Sequence, residues 1–382
     1  MKLLRKTNLC LMILWCLAAL AWAKPEPVVP VPPDYVLDKQ LEGEDPFDIA
    51  KPVFSPDNSF VAAFMHSPRV VTVWETRTGK VVAQIAEDVH HVDGADGLEF
   101  STDGKQLILL RNFLPLKVID WKAGKVVREI PLEADPKKIL SYAISPDQSL
   151  LAVGTYTGIA LWDMKAGKKL KEYLKGQAVS GLDMLITRDK QGRPVRLLSF
   201  GRALMPPDVT WKDIVGLINL DSGAVTPLLN DIPSDKKVSG SMTFFFTDFE
   251  WGGGHLLVTY SVFPPSVKAG TYLIDTWTGK YLSQQDLGQF VVKYRPKYLW
   301  KPFYGFVMPT ADMTGSPYKV ATQFLVPTLT GLKVLDTVDE SKLATYGIRI
   351  SDRYDLAAVV VKKDPSDTCK LFLYKLVPKK VL

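Results

Sequence analysis

Residues 139–173 read ILSYAISPDQSLLAVGTYTGIALWDMKAGKKLKEY. Short runs of aliphatic and aromatic residues alternate here with turn segments, which read SPD, TG and KAG. Runs of this length, bounded by Pro, Asp and Gly, are typical of β-strands joined by tight turns. The stretch therefore predicts four strands that form one unit of an all-β fold.

Two landmarks of this stretch recur along the chain. The first is an apolar residue that enters a polar turn, found at residues 54–57, 100–104 and 144–147, with a weaker copy at 350–353. The second is a strand that ends at an acidic or amide residue before a glycine turn. Its copies contain Gly79, Gly124, Gly167, Gly223 and Gly279, and the strand before Gly223 is expected to end at Asp221. A sixth copy at residues 334–336 lacks the glycine.

The spacing of the turn glycines indicates the architecture. Consecutive glycines of this set are 45, 43, 56 and 56 residues apart. Four-stranded propeller blades repeat about every 40–45 residues, and such a sheet buries both faces only when it is stacked between neighbours. We therefore predict a β-propeller of four-stranded antiparallel blades in one domain, residues 35–382, with insertions in the longer repeats.

The strands at the two ends of the chain predict how the ring closes. After the six turns, three strands remain at residues 346–351, 356–362 and 369–376, and an isolated strand precedes the first repeat at residues 35–41. The N-terminal strand is expected to complete the last blade. Seven blades result, with six or eight as the alternatives.

Several residues carry a resemblance to a known family. Trp74-Glu75 and Trp162-Asp163 occupy the place of a Trp-Asp dipeptide, and His91 precedes Phe100 by nine residues. Over about residues 35–380 the chain resembles the WD-repeat β-propellers and their looser bacterial exported relatives. It departs from the family at residues 155–158, where the aspartate of the middle hairpin is absent.

The first 34 residues predict export. Lys2, Arg5 and Lys6 precede an uncharged apolar run at residues 9–20, and Ala-Trp-Ala at 21–23 matches a cleavage site. We expect a secretory signal peptide over residues 1–23 and a Pro-rich spacer over 24–34, which indicates a periplasmic or secreted bacterial protein. Retention of the signal as an anchor is the alternative. Removal of the signal lowers the net charge of +6 by three, and neither this charge nor the predicted location favours a nucleic-acid partner.

Cysteine and histidine residues are scarce. Cys10 and Cys16 leave with the signal, and Cys369 begins an apolar run that predicts a buried structural thiol. The richest local cluster of ligand-type residues contains His90, His91, Asp93 and Asp96. These are weak candidates for a metal site, and a structural role for His91 is favoured. The sequence contains no Gly-x-Ser-x-Gly elbow, Walker loop, dinucleotide fingerprint or zinc-protease helix, and it indicates no specific cofactor. A Ser-His-Asp arrangement stays open, because its residues need not be adjacent in sequence.

Long connections in the irregular repeats are the candidate binding segments. Residues 201–213 lengthen the fourth blade, residues 263–268 lengthen the fifth, and residues 293–304 join the fifth to the sixth. Their cations and aromatic rings suit stacking and anionic or sugar groups. The candidate residues are Arg202, Trp211, Lys268, Lys293, Arg295, Lys297, Trp300 and Lys301. Alternatively, these side chains only pack over the rim of the propeller.

These observations predict an exported, non-enzymatic binding or scaffold protein. It is expected to be monomeric, to have no membrane span after signal cleavage, and to recognise a protein or an envelope polysaccharide through loops on one face of blades four to six. One alternative is a periplasmic propeller enzyme of lactonase or dehydrogenase type, which would use a metal or a quinone in the central channel. Another is a structural adhesion module at the cell surface.

Overall fold

The computed structural model describes residues 35–43, 49–66, 69–86, 97–110, 115–132, 139–189, 191–205, 212–230, 242–249, 255–263, 269–276, 278–286, 299–300, 305–312, 319–328, 331–339, 345–351, 355–361 and 368–376. In these residues every regular element is a β-strand. The all-β prediction is confirmed.

The first half of the chain forms three four-stranded antiparallel sheets after an isolated N-terminal strand, β1 (Tyr35–Gln40). Sheet 1 contains β2 (Ile49–Phe54), β3 (Phe60–His66), β4 (Arg69–Glu75) and β5 (Val81–Ala86). Sheet 2 contains β6 (Gly97–Phe100), β7 (Gln106–Leu110), β8 (Leu116–Asp120) and β9 (Lys125–Ile130). Sheet 3 contains β10 (Ile139–Ile144), β11 (Leu150–Thr155), β12 (Gly158–Asp163) and β13 (Lys168–Tyr173).

The second half repeats the four-strand pattern with longer strands. Sheet 4 contains β14 (Val179–Arg188), β15 (Pro194–Leu204), β16 (Val215–Asn219) and β17 (Val225–Leu229). Sheet 5 contains β18 (Met242–Phe249), β19 (His255–Phe263), β20 (Ala269–Asp275) and β21 (Tyr281–Asp286). Sheet 6 contains β22 (Leu299–Trp300), β23 (Gly305–Asp312), β24 (Lys319–Thr328) and β25 (Gly331–Asp339). Sheet 7 contains β26 (Thr345–Ile350), β27 (Leu356–Val361), β28 (Lys370–Leu376) and β1.

The N-terminal strand completes the C-terminal sheet, as predicted. β1 pairs antiparallel with β28, and Val36 lies opposite Lys375. The Lys375 ammonium forms an ion pair with the Asp38 carboxylate, and the distance from Nζ to Oδ1 is 2.7 Å. Beyond the strand, the Glu42 amide donates to the carbonyl of Gly79 in sheet 1 at 2.8 Å. The start of the domain is therefore bonded both to its last strand and to its first sheet.

Apolar clusters lie between consecutive sheets. On β3, Val61 and Met65 pack with residues of sheet 7, whereas Ala62 and Phe64 on the opposite face pack with residues of sheet 2. This alternation follows from the two-residue period of a strand. Three further clusters join sheet 2 to sheet 3, sheet 3 to sheet 4 and sheet 4 to sheet 5. Cys369 is fully buried in the cluster between sheets 7 and 1, so the prediction of a buried thiol is confirmed.

The Ser-Pro-Asp turn is stabilised by its own side chains. In sheet 1 the Ser55 hydroxyl donates to the Asp57 carboxylate at 2.6 Å and accepts the Phe60 amide at 2.9 Å, while Asp57 Oδ1 accepts the Ser59 amide at 3.0 Å. The same three bonds recur at residues 101–106 and 145–150. In sheet 7 the serine is retained as Ser351, but its hydroxyl donates to Asp355.

Turns of neighbouring sheets are also bonded to each other. Asn58, at φ 62°, donates its side-chain amide to Asp355 of sheet 7. Gln148, at φ 57° in the equivalent turn of sheet 3, donates to the Phe100 carbonyl at 2.7 Å and accepts the Thr102 amide at 2.9 Å. Left-handed backbone is uncommon outside glycine. Here it directs a side-chain amide to the adjacent sheet, so these turns link sheet 7 to sheet 1 and sheet 2 to sheet 3.

The hairpin between β11 and β12 replaces the aspartate of the WD-repeat pattern by threonine. Thr155 Oγ1 accepts the Thr157 amide at 3.1 Å and donates to the Gly158 carbonyl at 3.1 Å. A hydroxyl offers both functions at short reach. The tight turn therefore forms without a carboxylate.

The glycine turn of sheet 4 differs from the sequence prediction by two residues. The strand ends at Asn219, whose Oδ1 accepts the Ser222 amide at 2.9 Å, and the Gly223 amide donates to the Asn219 carbonyl at 2.7 Å. Asp221, the acid expected at the strand end, instead forms an ion pair with Arg196 of β15. An amide side chain caps this turn as well as an acid does, because only an acceptor is needed.

Candidate binding site at the junction of sheets 4 and 5

Strand β15 changes its partners near its C-terminal end. Along most of its length it lies between β14 and β16. At Ala203 and Leu204 it pairs instead with Phe244 and Thr243 of β18. Sheets 4 and 5 are therefore joined into one hydrogen-bonded system of eight strands. The sequence predicted two separate blades here, so this junction is a departure from the regular pattern.

A glycine and a serine allow this close approach. A Cβ atom on Gly201 would lie 2.3 Å from the carbonyl oxygen of Phe245, a distance that no side chain tolerates. The buried hydroxyl of Ser180 lies 2.9 Å from the Phe245 carbonyl and 3.1 Å from the Arg202 carbonyl. It also accepts the Phe245 amide at 3.2 Å. Small and polar residues thus add backbone contacts to the apolar packing between these two sheets.

Two further polar contacts extend the contact between sheets 4 and 5. The Ser199 hydroxyl donates to Thr247 Oγ1 at 2.9 Å, and both side chains are buried. Asp183 Oδ2 accepts the Phe249 amide at 2.7 Å. We call the contacts that Ser180, Ser199 and Asp183 make with sheet 5 the polar seam. Sequence reasoning missed it, although polar residues inside the apolar runs of β14 and β15 were a visible signal.

The strand ends place several long connections at one edge. Thr243 lies opposite both Leu204 of β15 and Val262 of β19, so β15 and β19 end where β18 begins. Gly270, at the start of β20, lies opposite Asp286, the last residue of β21. The segments that follow residues 204, 263 and 286 therefore leave the joined sheets from the same end. These are the connections in which the sequence predicted binding residues.

Arg202 is the predicted binding residue whose surroundings are described. Its guanidinium Nη1 donates to the Lys212 carbonyl at 2.6 Å, and its amide donates to the Ile214 carbonyl at 2.9 Å. Partial burial lowers the pKa of the Arg202 guanidinium, and the carboxylate of Asp213 opposes that shift. Asp213 adopts φ 51°, which turns the chain back toward β16. Arg202 therefore fixes the two ends of the connection after β15, and its role is at least partly structural.

The other candidates are not positioned in the same detail. Trp211, Lys268, Lys293, Arg295, Lys297 and Lys301 lie outside the described residues, as do the weak metal candidates His90, His91, Asp93 and Asp96. Trp300 lies in the short strand β22, where it pairs with Gly305. A continuous loop was expected over residues 293–304. The apolar Leu299 and Trp300 instead provide the first strand of sheet 6.

In the part of the chain that the structure covers, no group of three His, Cys, Asp or Glu side chains is arranged to hold a metal ion. Those same stretches contain no helix that is long and apolar enough to cross a membrane. A scan against protein-family models and a search of curated proteins each return no match. The resemblance to WD repeats therefore rests on the residues quoted above.

Proposed function

We propose that this chain is an exported, non-enzymatic binding protein with a WD-like propeller body of seven blades. In this proposal, β1 closes the ring by completing the last blade. The partner is a protein or an envelope polysaccharide, and it is recognised by loops on one face of sheets 4, 5 and 6.

The proposal of a closed ring is supported by contacts between first strands. The first strand of sheet 1, β2, contacts both β26 of sheet 7 and β6 of sheet 2. Likewise β14 contacts both β10 and β18. Five apolar clusters connect sheets 7, 1, 2, 3, 4 and 5 in this order. A repeat array that runs from the last sheet back to the first is the pattern expected of a propeller.

The proposal of a binding face rests on one observation, the shared edge at which β15, β19 and β21 end. Binding residues concentrate in long loops that a rigid scaffold holds together. The scaffold here is rigid because the polar seam and an apolar cluster fix sheet 4 to sheet 5. The loops that leave this edge contain the cations and aromatic rings suited to anionic or sugar groups.

Strand length also separates these sheets from the first three. β14 and β15 have 10 and 11 residues, and β24 of sheet 6 has 10. Strands of sheets 1 to 3 have four to seven residues. The extra length of β14 and β15 lies at the hairpin between them, where Arg188 pairs with Pro194 beyond the end of β16. Strand length therefore distinguishes sheet 4 from the first three sheets, but it extends the end of sheet 4 that is opposite to the proposed face.

A matched pair of variants tests the proposed face. Lys268→Gln with Lys293→Gln changes two loop cations that follow the shared edge. Arg188→Gln with Arg193→Gln changes two cations in the β14–β15 hairpin, at the opposite end of sheet 4. Crosslinking capture from envelope extract, together with a glycan array, should show about tenfold less partner with the first variant and no change with the second. Equal capture by both variants, or none by the parent chain, would contradict the proposal.

A further inference from the structure

The outer strands of sheets 2 and 3 carry an exposed surface of unusual composition. We define the basic rim as residues 125–129 of β9 and residues 165–172, which comprise the turn before β13 and most of β13 itself. Its cations are Lys125, Arg128, Lys165, Lys168, Lys169 and Lys171, and all of them are exposed. Its acids are Glu129 and Glu172. Cations therefore outnumber acids by three to one on this surface.

The two strands form one continuous surface. Arg128 of β9 donates its Nη1 to the carbonyl of Met164, in the turn that precedes β13, at 2.8 Å. A Cβ atom on Gly167 in the same turn would lie 3.9 Å from Ile130 at the end of β9. An apolar cluster also packs sheet 2 against sheet 3 beneath this surface. The two outer strands are consequently held next to each other at the rim of sheets 2 and 3.

Neighbouring outer strands lack this charge. β5 of sheet 1 reads VVAQIA, and β17 of sheet 4 reads VTPLL. Both occupy the same place in their sheets as β9 and β13. Within these strands the positive charge is thus concentrated on two adjacent sheets, with two cations in β9, three in β13 and none in β5 or β17.

Exposed apolar side chains lie among the cations. Val126, Val127 and Leu170 are 44%, 52% and 55% exposed. One simple role of lysine on an edge strand is to prevent that strand from pairing with another chain. That role does not require large apolar side chains at the same exposed positions, and they favour partners that contain both anionic groups and hydrocarbon.

We propose that the basic rim docks this protein on the surface of a bilayer that contains anionic lipids. Basic side chains are attracted to anionic headgroups, and the exposed valines and leucine can enter the boundary between headgroups and acyl chains. A bilayer is flat and can contact both strands together. An added acidic peptide strand could pair with only one edge, which favours the lipid surface. This surface is separate from the loops of the proposed function.

An environment-sensitive probe locates the contact directly. In a full-length chain in which Cys10 and Cys16 are replaced by serine, Val127→Cys places a nitrobenzoxadiazole label on the rim. Val82→Cys, on β5 and 47% exposed in the parent chain, is the matched control. Vesicles with about one third phosphatidylglycerol should shift the emission of the rim label to the blue and leave the control label unchanged. Vesicles of phosphatidylcholine alone should shift neither.

Removal of lysine charges from the basic rim provides a second test of vesicle binding. Each basic side chain near such a surface contributes about a fivefold gain in affinity. Lys125, Lys165, Lys168 and Lys171 replaced by glutamine should therefore weaken vesicle binding, titrated with the Val127→Cys label, at least about 100-fold. The same replacement at Lys80, Lys105, Lys212 and Lys280, which are also exposed, should leave it within about twofold.

The outcomes separate the alternatives. Equal shifts of both labels would mean that another segment, such as the apolar N-terminus, binds the vesicle, and would overturn the proposal. Absence of a shift at the rim label would also overturn it. So would binding of soluble poly-glutamate to the rim without a response to vesicles, which would identify an acidic polypeptide as the partner. If Lys268→Gln with Lys293→Gln did not reduce partner capture, the proposed function would fail, but the vesicle measurements on the basic rim would still stand.

Discussion

Sheets 1 to 3 and sheets 4 to 5 solve the same packing problem in different ways. The first three have short strands, repeated Ser-x-Asp turns, and side-chain links between neighbouring turns. Sheets 4 and 5 have longer strands and are joined by shared strand pairing and the polar seam. The comparison indicates that sheets 1 to 3 share equivalent turns, whereas the polar seam fixes together the two sheets at whose shared edge the candidate binding connections begin.

The largest loss of stability is expected when a side chain is added at Gly201, in the junction of sheets 4 and 5. Gly201→Ala places a Cβ atom against the backbone of Phe245, which cannot move away without breaking the pairing of β15 with β18. We expect a loss of about 3 kcal/mol of unfolding free energy, measured by urea denaturation. Gly124→Ala is the control in sheet 2, because φ is 64° but nothing lies within 4 Å, and should cost about 1 kcal/mol. A smaller loss at Gly201 than at Gly124 would remove the distinction between the two regions.

The hydroxyl of Ser180 tests the polar seam itself. Ser180→Ala removes a donor and an acceptor from the buried backbone of Phe245 and Arg202. Backbone groups left buried without partners should cost about 2 kcal/mol, again measured by urea denaturation. Ser180→Thr retains the hydroxyl and is expected to recover part of the loss. An unchanged stability of Ser180→Ala would show that the seam does not hold sheets 4 and 5 together.

A smaller effect is expected in the turns of sheets 1 to 3. Ser145→Ala removes the hydroxyl that bonds Asp147 and the Leu150 amide. It should cost about 1 kcal/mol, because water can replace the bond to the exposed Asp147 carboxylate but not the bond to the buried Leu150 amide. Ser55→Ala and Ser101→Ala remove equivalent bonds. The three variants should therefore lose similar amounts. Strongly unequal losses would contradict the idea that the turns are equivalent.

The smallest effect concerns pH. The Ser101 hydroxyl, with help from the Lys105 amide, holds the pKa of Asp103 below its ordinary value, and the Ser55 hydroxyl does the same for Asp57. A carboxyl with a depressed pKa in the folded state stabilises the fold above its unfolded pKa, near 4, and this contribution is lost as pH falls through the folded value. Urea midpoints of the parent chain should fall between pH 5 and pH 3. The fall should be slightly smaller in Ser101→Ala, and an equal or larger fall would contradict this assignment.

Much of the structure of sheets 1 to 3 could be predicted from local sequence. The Ser-Pro-Asp turns and the glycine turns depend on residues close in the chain, so their chemistry is visible in a few consecutive letters. The pairing of β1 with β28 was also predicted, because the C-terminal end had three strands of a four-stranded sheet and the N-terminal strand had no sheet of its own. The turn of sheet 7 is an exception. There the Ser351 hydroxyl donates to Asp355, four residues later, whereas in sheets 1 to 3 the carboxylate lies two residues after the serine.

The junction could not be predicted in the same way. The requirement for Gly201 arises from Phe245, which is 44 positions further along the chain, so no local pattern reveals it. Arg202 was expected in a binding role because it is a cation in a long connection. Its guanidinium also reaches the carbonyl of Lys212, and a backbone partner of this kind has no sequence signal. The binding role of Arg202 stays a prediction.

The most direct test of the proposed closed ring is a disulfide between β1 and β28. Val36→Cys with Lys375→Cys, in a chain with serine at positions 10 and 16, joins two residues that lie opposite each other in the register. Val36→Cys with Lys370→Cys is the control, since five residues of strand separate the two registers by roughly 17 Å, beyond disulfide reach. Mass spectrometry after mild oxidation should find the disulfide in most molecules of the first variant and in almost none of the second. Equal crosslinking in both variants, or none in the first, would contradict closure of the ring by the N-terminal strand.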